Sequence, residues 1–272
     1  MKLYKLVMSI MIGILLLSAV LYLIPGKSLS AQPKVPKSEV ELIGPGSSSE
    51  ISVSTFDPVN HRAFADYFQR PELAPLSRYA VVVTNESAQA VNAVTLLWTI
   101  TDPGGATQTL IDRHEGYYLK LTSVIPERSE AVFWPMGYLQ SSILVAHGKP
   151  MLRLPSGATL DGYNRAAKVS AIVDTVIMTD GHVIGLDRSN TLAYLVAREK
   201  AADIIIQTAN NAKQNKEDPS AIFANLAKSR GSSNDFVQLW IARLARKMRT
   251  DDGQFLEDLQ HQPRTPIFVR GQ

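Results

Sequence analysis

The chain has 272 residues, 45% of them apolar and 19% charged, and contains no cysteine. That is enough apolar material for one large domain or two modest ones, and it excludes disorder of the whole chain. The missing thiols exclude disulfides, cysteine nucleophiles, Cys-ligated zinc and iron–sulfur clusters. The formal charge of +3 is accounted for by Lys2, Lys5 and Lys27 near the N-terminus, so the body is neutral. A nucleic-acid binder needs a basic stripe to neutralise phosphates, and a neutral body argues against one.

Met1 to Lys5 is a short basic start, and Leu6 to Ile24 runs without a charge to Pro25-Gly26. This pattern predicts an export segment over residues 1–31: a signal peptide or a signal-anchor helix crossing the membrane through residues 6–24. A secretory apolar core is about 7–15 residues and a spanning helix about 20, so the length favours a retained anchor. Ser28-Leu29-Ser30-Ala31 offers a cleavage site, with Ala31 before the cut and the larger Leu29 at −3. Both fates stay open, and either places the body outside the cytoplasm. Residues 32–50, rich in Pro, Lys, Ser and Gly, read as a linker.

Residues 51–188 show short apolar alternations broken by turn residues, which predicts a β-sandwich. The clearest strand is Asn92 to Thr101, where Val94, Leu96, Trp98 and Ile100 share one face. Tyr79 to Thr84 is its expected partner, across the turn Asn85-Glu86-Ser87-Ala88-Gln89. Further strands are expected at Ile51 to Phe56, Thr107 to Asp112, Tyr117 to Val124, Ala131 to Trp134 and Ile143 to Ala146. Lys168 to Met178 and His182 to Ile184 flank Asp180-Gly181, a strong hairpin signal because both central residues tolerate positive φ. Trp98 resembles the buried tryptophan of immunoglobulin-like strands, a likeness of architecture that implies an immunoglobulin-like antiparallel sandwich without the usual disulfide.

From Ser189 the apolar period changes from two to 3.6, so residues 189–272 are predicted helical. A long helix is expected from Asn190 to about Gln214, its apolar face including Ile204-Ile205-Ile206. Asp218-Pro219 starts a second helix, ended by Gly231. Ser233 is expected to cap a third, in which Phe236, Trp240, Leu244 and Met248 repeat at i+4. A short helix follows from Gln254. The fold class is thus α+β: export helix, linker, sandwich, helical C-terminal region.

Local motifs for chemistry are absent. His61, His114, His147, His182 and His261 lie far apart, and His114-Glu115 is followed by Tyr118 where a second zinc-binding histidine would stand. There is no GxSxG, SxxK, GxxxxGK or GxGxxG, and Asp180-Gly181 lacks the further acids of a calcium loop. Asp174 is the one acid inside an apolar strand. A core-facing Asp174 would bring a functional role into view, but the solvent face is the expectation. The end of the third helix collects Arg243, Arg246, Lys247 and Arg249, which complement the helix dipole and solubilise the outer face. Trp134, Tyr138, Tyr117 and Tyr118 are expected to be core and strand-edge residues rather than a ligand platform. Asn85-Glu86-Ser87 matches a glycosylation sequon.

No catalytic, cofactor-binding or metal residue is assigned, and no cofactor is implied. The expected function is an extracytoplasmic, non-enzymatic binding or assembly module, secreted or membrane-tethered. One alternative is an exported hydrolase with a site assembled from remote groups, Asp174, His182 and Glu115 among them. The other is an envelope structural protein that uses the basic amphipathic helix.

Overall fold

The computed structural model describes residues 39–43, 48–71, 73–116, 123–135, 137–140, 165–228, 235–248, 254–261 and 266–270. The expected export segment 1–31, most of the linker, the strand at Ile143 to Ala146, and Tyr117, Tyr118, His147, Gly231, Ser233 and Arg249 lie outside these residues. The described chain is mixed α/β. Its strands are β1 (Glu41–Leu42), β2 (Ile51–Thr55), β3 (Val81–Asn85), β4 (Val91–Thr101), β5 (Thr107–Glu115), β6 (Ser129–Trp134), β7 (Gly137–Gln140), β8 (Lys168–Met178), β9 (His182–Gly185) and β10 (Val269–Arg270). Its α-helices are α1 (Arg62–Phe68), α2 (Thr191–Asn215), α3 (Pro219–Lys228), α4 (Phe236–Met248) and α5 (Gln254–His261), with a 3₁₀ helix at Ala74–Tyr79. Among the described residues, no helix is long and apolar enough to cross a membrane.

The strands form a four-stranded sheet in the order β2-β3-β6-β7 and a six-stranded sheet built on β10-β9-β8-β4-β5, with β1 also against β8. The two sheets face one another across a core that includes Val81, Val83 and Phe133 from one and Leu96, Trp98 and Val176 from the other. Val94, Leu96, Trp98 and Ile100 all contribute to this core, as their alternation predicts.

The outer faces are covered as well. α1 and the 3₁₀ helix pack Phe64, Phe68, Leu73 and Leu76 onto Val82, Val132 and Trp134 of the smaller sheet. Helices α2 to α5 form one apolar cluster with Ala93, Ile177 and Val183 of the larger sheet. The layer order is therefore helix, sheet, sheet, helix. Burial on both faces explains the unbroken Val81-Val82-Val83 run, because a central strand with two covered faces has no use for alternation.

Two expectations are corrected. β3 does not pair with β4: the turn after Asn85 carries the chain from one sheet to the other, β3 pairing with β2 and β6, and β4 with β5 and β8. The larger sheet is not purely antiparallel, since β1 runs parallel to β8 and β10 parallel to β9. Of the strand expected at Tyr117 to Val124, only Ser123 and Val124 are described, and both are buried outside any named strand.

The sequon is closed by the same turn. Asn85 is fully buried, its amide donating to the carbonyls of Gln89 (2.7 Å) and Pro126 (2.9 Å) while its Oδ1 accepts from the Ser87 backbone and hydroxyl. Trp134 is fully buried too, edge-on to Phe68, as core rather than platform.

The helical region follows its punctuation. Asp218 accepts the Ser220 N–H at the start of α3, and this bond holds its carboxyl below the ordinary range. Asp235 accepts the Gln238 N–H at the start of α4. Trp240 and Leu244 are buried, with Phe236 and Met248 partly buried beside them. The isoleucine run divides: Ile205 is fully buried and Ile204 is 38% exposed.

Candidate functional site

The polar groups of this molecule converge where α2 crosses the larger sheet. The convergence begins with a bulge in β8: Thr95 pairs with Thr175 and Leu96 with Val173, leaving Asp174 as the extra residue. A bulged residue is outside the ladder, and its groups are free to bind another segment. The Asp174 carbonyl accepts the N–H groups of Leu186 (3.0 Å) and Asp187 (3.2 Å). Its carboxylate accepts those of Arg188 and Ser189, both at 2.9 Å, and the Thr175 hydroxyl at 3.2 Å. One residue thus holds the whole segment from 186 to 189. Asp174 is 1% exposed, so the solvent-face expectation is corrected: the acid is buried because it replaces water for backbone N–H groups.

Gly185 makes that approach possible. Its φ is +102°, and a Cβ there would lie 2.3 Å from the Asp174 carbonyl oxygen. Substitution by alanine is expected to destabilise the protein by at least about 2 kcal/mol, from left-handed strain plus the backbone clash. Urea unfolding of Gly185→Ala checks this, and an unchanged midpoint would refute the reading.

Asp187 and Asn190, both at positive φ, turn the chain into α2. Asp187 Oδ1 accepts the N–H groups of Thr191 (2.6 Å) and Leu192 (3.3 Å), so it caps the helix although Asn190 occupies the cap position. A carboxylate here also meets the positive end of the helix dipole. Arg270 from β10 approaches its other oxygen at 3.5 Å.

The first turn of α2 then meets β4 and β5. The Thr191 hydroxyl is 2.8 Å from that of Thr95 and 2.7 Å from that of Ser189. Arg113 donates from Nη2 to the Ser189 carbonyl (2.6 Å) and from Nε to Thr191 (3.3 Å), with its guanidinium 4.4 Å from the Tyr194 ring centroid. Two residues along β5, on the same face, Glu115 accepts from Arg198 at 2.8 Å, both side chains being nearly enclosed. Burial pushes the Glu115 carboxyl above its ordinary range, against the opposing pull of Arg198, Arg113 and Arg243. Desolvation lowers the Arg113 pKa, and it raises the Tyr194 pKa against the pull of Arg243. Arg243 Nη1 donates to the Tyr194 hydroxyl at 2.6 Å.

The hydrolase candidates Asp174, His182 and Glu115 are not brought into one site. Glu115 pairs with α2 on the helix-covered face of the sheet. His182 precedes the helix-facing Val183 in β9 and sits 3.7 Å from Glu50, near the start of β2. Asp174 is committed to the loop. A separate pair, His114 Nε2 and Asp112 Oδ2 at 3.2 Å, occupies the face of β5 turned to the other sheet, with the imidazole against Phe133. Among the described residues, no three histidine or acidic side chains are grouped to hold a metal ion.

Sequence reasoning passed over Arg113, Asp187, Tyr194 and Arg198, and took Arg243 as a dipole-complementing, solubilising cation or, in the alternative, as part of a basic amphipathic helix. Two signals were present: Arg113 and Glu115 share a strand face at i, i+2, and Arg198 lies on the apolar stripe of α2 between Leu195 and Ala201. A charge at a core position asks for a partner, and the only acid on that face of β5 is Glu115. Comparison of the chain with protein-family models, with curated proteins and with solved structures gives no match.

Proposed function

We propose that the protein is an extracytoplasmic recognition or assembly module: an immunoglobulin-like sandwich with a helical flank, exported by residues 1–31 and tethered through residues 6–24 where that segment is retained. The observation that carries this reading is the outward side of α2. Val196 is 39% exposed and Ile204 38% exposed. Their spacing places them about 80° apart around the helix, so both belong to its outer half. Val196 also lines a shallow groove of about 430 Å³ with Ala193, Ala197, Lys200, Asp235, Phe236 and Val237. The acids weighed for hydrolysis are engaged in structural bonds, which favours recognition over catalysis for this region.

Two measurements test the proposal. In a bacterial host, the full-length product should either keep its N-terminus and fractionate with the membrane or begin near Gln32 outside the cytoplasm; an intact soluble cytoplasmic product overturns the export claim. A photo-crosslinking residue at position 196 should give one discrete adduct in cells, lost on Ile204→Asp with the fold retained by circular dichroism. Absence of any adduct, or one indifferent to position 204, counts against recognition through this surface.

A further inference from the structure

The arginines around Tyr194 are unequal in how their charge is met. Arg198 is matched by Glu115 at 2.8 Å. Arg113, from β5, lies over the Tyr194 ring and 5.8 Å from that of Phe236; Arg243, from α4, reaches the hydroxyl of the same tyrosine and stacks 5.3 Å from Trp240. Among the described residues, neither Arg113 nor Arg243 has a carboxylate within ion-pair distance. The acids in electrostatic reach of Arg113 are Asp187 and Asp174, and Glu115 is in reach of both arginines. Each of these acids is already engaged: Glu115 by Arg198, Asp187 by the α2 N-terminus and Arg270, Asp174 by backbone N–H groups.

A guanidinium carries five N–H donors in a planar fork. Arg113 uses Nε and Nη2 on Thr191 and Ser189, and Arg243 uses Nη1 on Tyr194, which leaves donors on both. Their aromatic supports fix the two forks without neutralising them, and Arg113 is partly desolvated while Arg243 is exposed. Two like charges held by one tyrosine thus keep donors unfilled and have no acid to spare among the described residues, an arrangement suited to an oxyanion. Arginine forks match the paired oxygens of a phosphoryl group, which a lysine cannot do.

We propose that Arg113 and Arg243, both positioned by the Tyr194 side chain, form a binding site for a phosphoryl group at the junction of the larger sheet with α2 and α4. The group can come from a soluble phosphate ester or from a phospholipid headgroup. Calorimetric titration of the full-length protein with inorganic phosphate, and separately with monomeric dihexanoyl phosphatidic acid, at constant ionic strength in chloride, decides the matter. Saturable binding is expected, weakened at least tenfold by Arg243→Gln and changed less than twofold by Arg246→Gln, an exposed cation on the same helix. Phosphate binding as tight as that of the phosphatidic acid, or tighter, assigns a soluble phosphoryl ligand; tighter binding of the phosphatidic acid assigns a headgroup. The proposal is overturned if neither probe binds above the chloride background, or if Arg246→Gln weakens binding as much as Arg243→Gln.

Discussion

Replacing Asp174 with alanine is expected to lower stability by about 3 to 5 kcal/mol, because the backbone N–H groups of Arg188 and Ser189 lose their acceptor inside the protein. Asparagine keeps one carbonyl oxygen but turns the second position into a donor that faces an N–H, so Asp174→Asn should recover only part of the loss. The effect has a location as well as a size. Hydrogen exchange should accelerate first at Arg188 and Ser189, and then in the opening turn of α2, whose cap Asp187 is carried by the same segment. An unfolding free energy from urea titration of Asp174→Ala within about 1 kcal/mol of that of the unmodified protein would show that water replaces the carboxylate freely and that the bulge is not what fixes the loop.

The second large effect is expected at the buried pair of Glu115 and Arg198. Arg198→Met leaves a carboxylate enclosed without its closest cation, a loss of about 3 to 5 kcal/mol near neutral pH. The loss should depend on pH with a definite sign. Burial already raises the folded-state pKa of Glu115, and Arg198 is the largest influence opposing that rise, so the variant raises it further. The folded form then keeps a proton that the unfolded chain releases near the ordinary glutamate value. Stability is therefore greatest below that value and falls as pH rises through the interval up to the folded pKa. Chemical unfolding of Arg198→Met across the range from acid to neutral pH should show a steeper decline than the parent. Adding Glu115→Gln should abolish the extra slope. A deficit that is the same at every pH would mean that Glu115 is not the group left uncompensated.

These two centres join the layers of the molecule. Asp174 ties the loop after β9 to β8, Asp187 and Thr191 begin α2 on that loop, and Glu115 with Arg198 locks the helix to β5. The groove beside Val196 and the cationic forks around Tyr194 adjoin the same helix. A ligand at either place thus meets a surface whose backbone is fixed by buried polar bonds, the condition under which recognition loses least to ordering.

Periodicity and punctuation in the sequence were enough to place β4, β8, the Asp180-Gly181 hairpin and the helices after Ser189, since these depend on local rules: alternation at two, repetition at 3.6, a glycine at positive φ, a capping aspartate before proline. The inward face of Val94, Leu96, Trp98 and Ile100 followed from the same alternation. Partner choice did not. β3 and β4 are neighbours in sequence and belong to different sheets, a choice made by the burial of β3 on both faces and by the Asn85 turn that redirects the chain. The burial of Asp174 was equally out of reach, because a one-residue bulge shifts the register between Thr95 and Leu96 and no pattern along β8 alone announces it. The convergence of Arg113, Glu115, Tyr194, Arg198 and Arg243 joins β5, α2 and α4 across nearly half of the chain. Local residue chemistry determined which elements form and which faces are apolar; only the tertiary structure, by stacking helix on sheet, decided which charges meet and which are left facing outward.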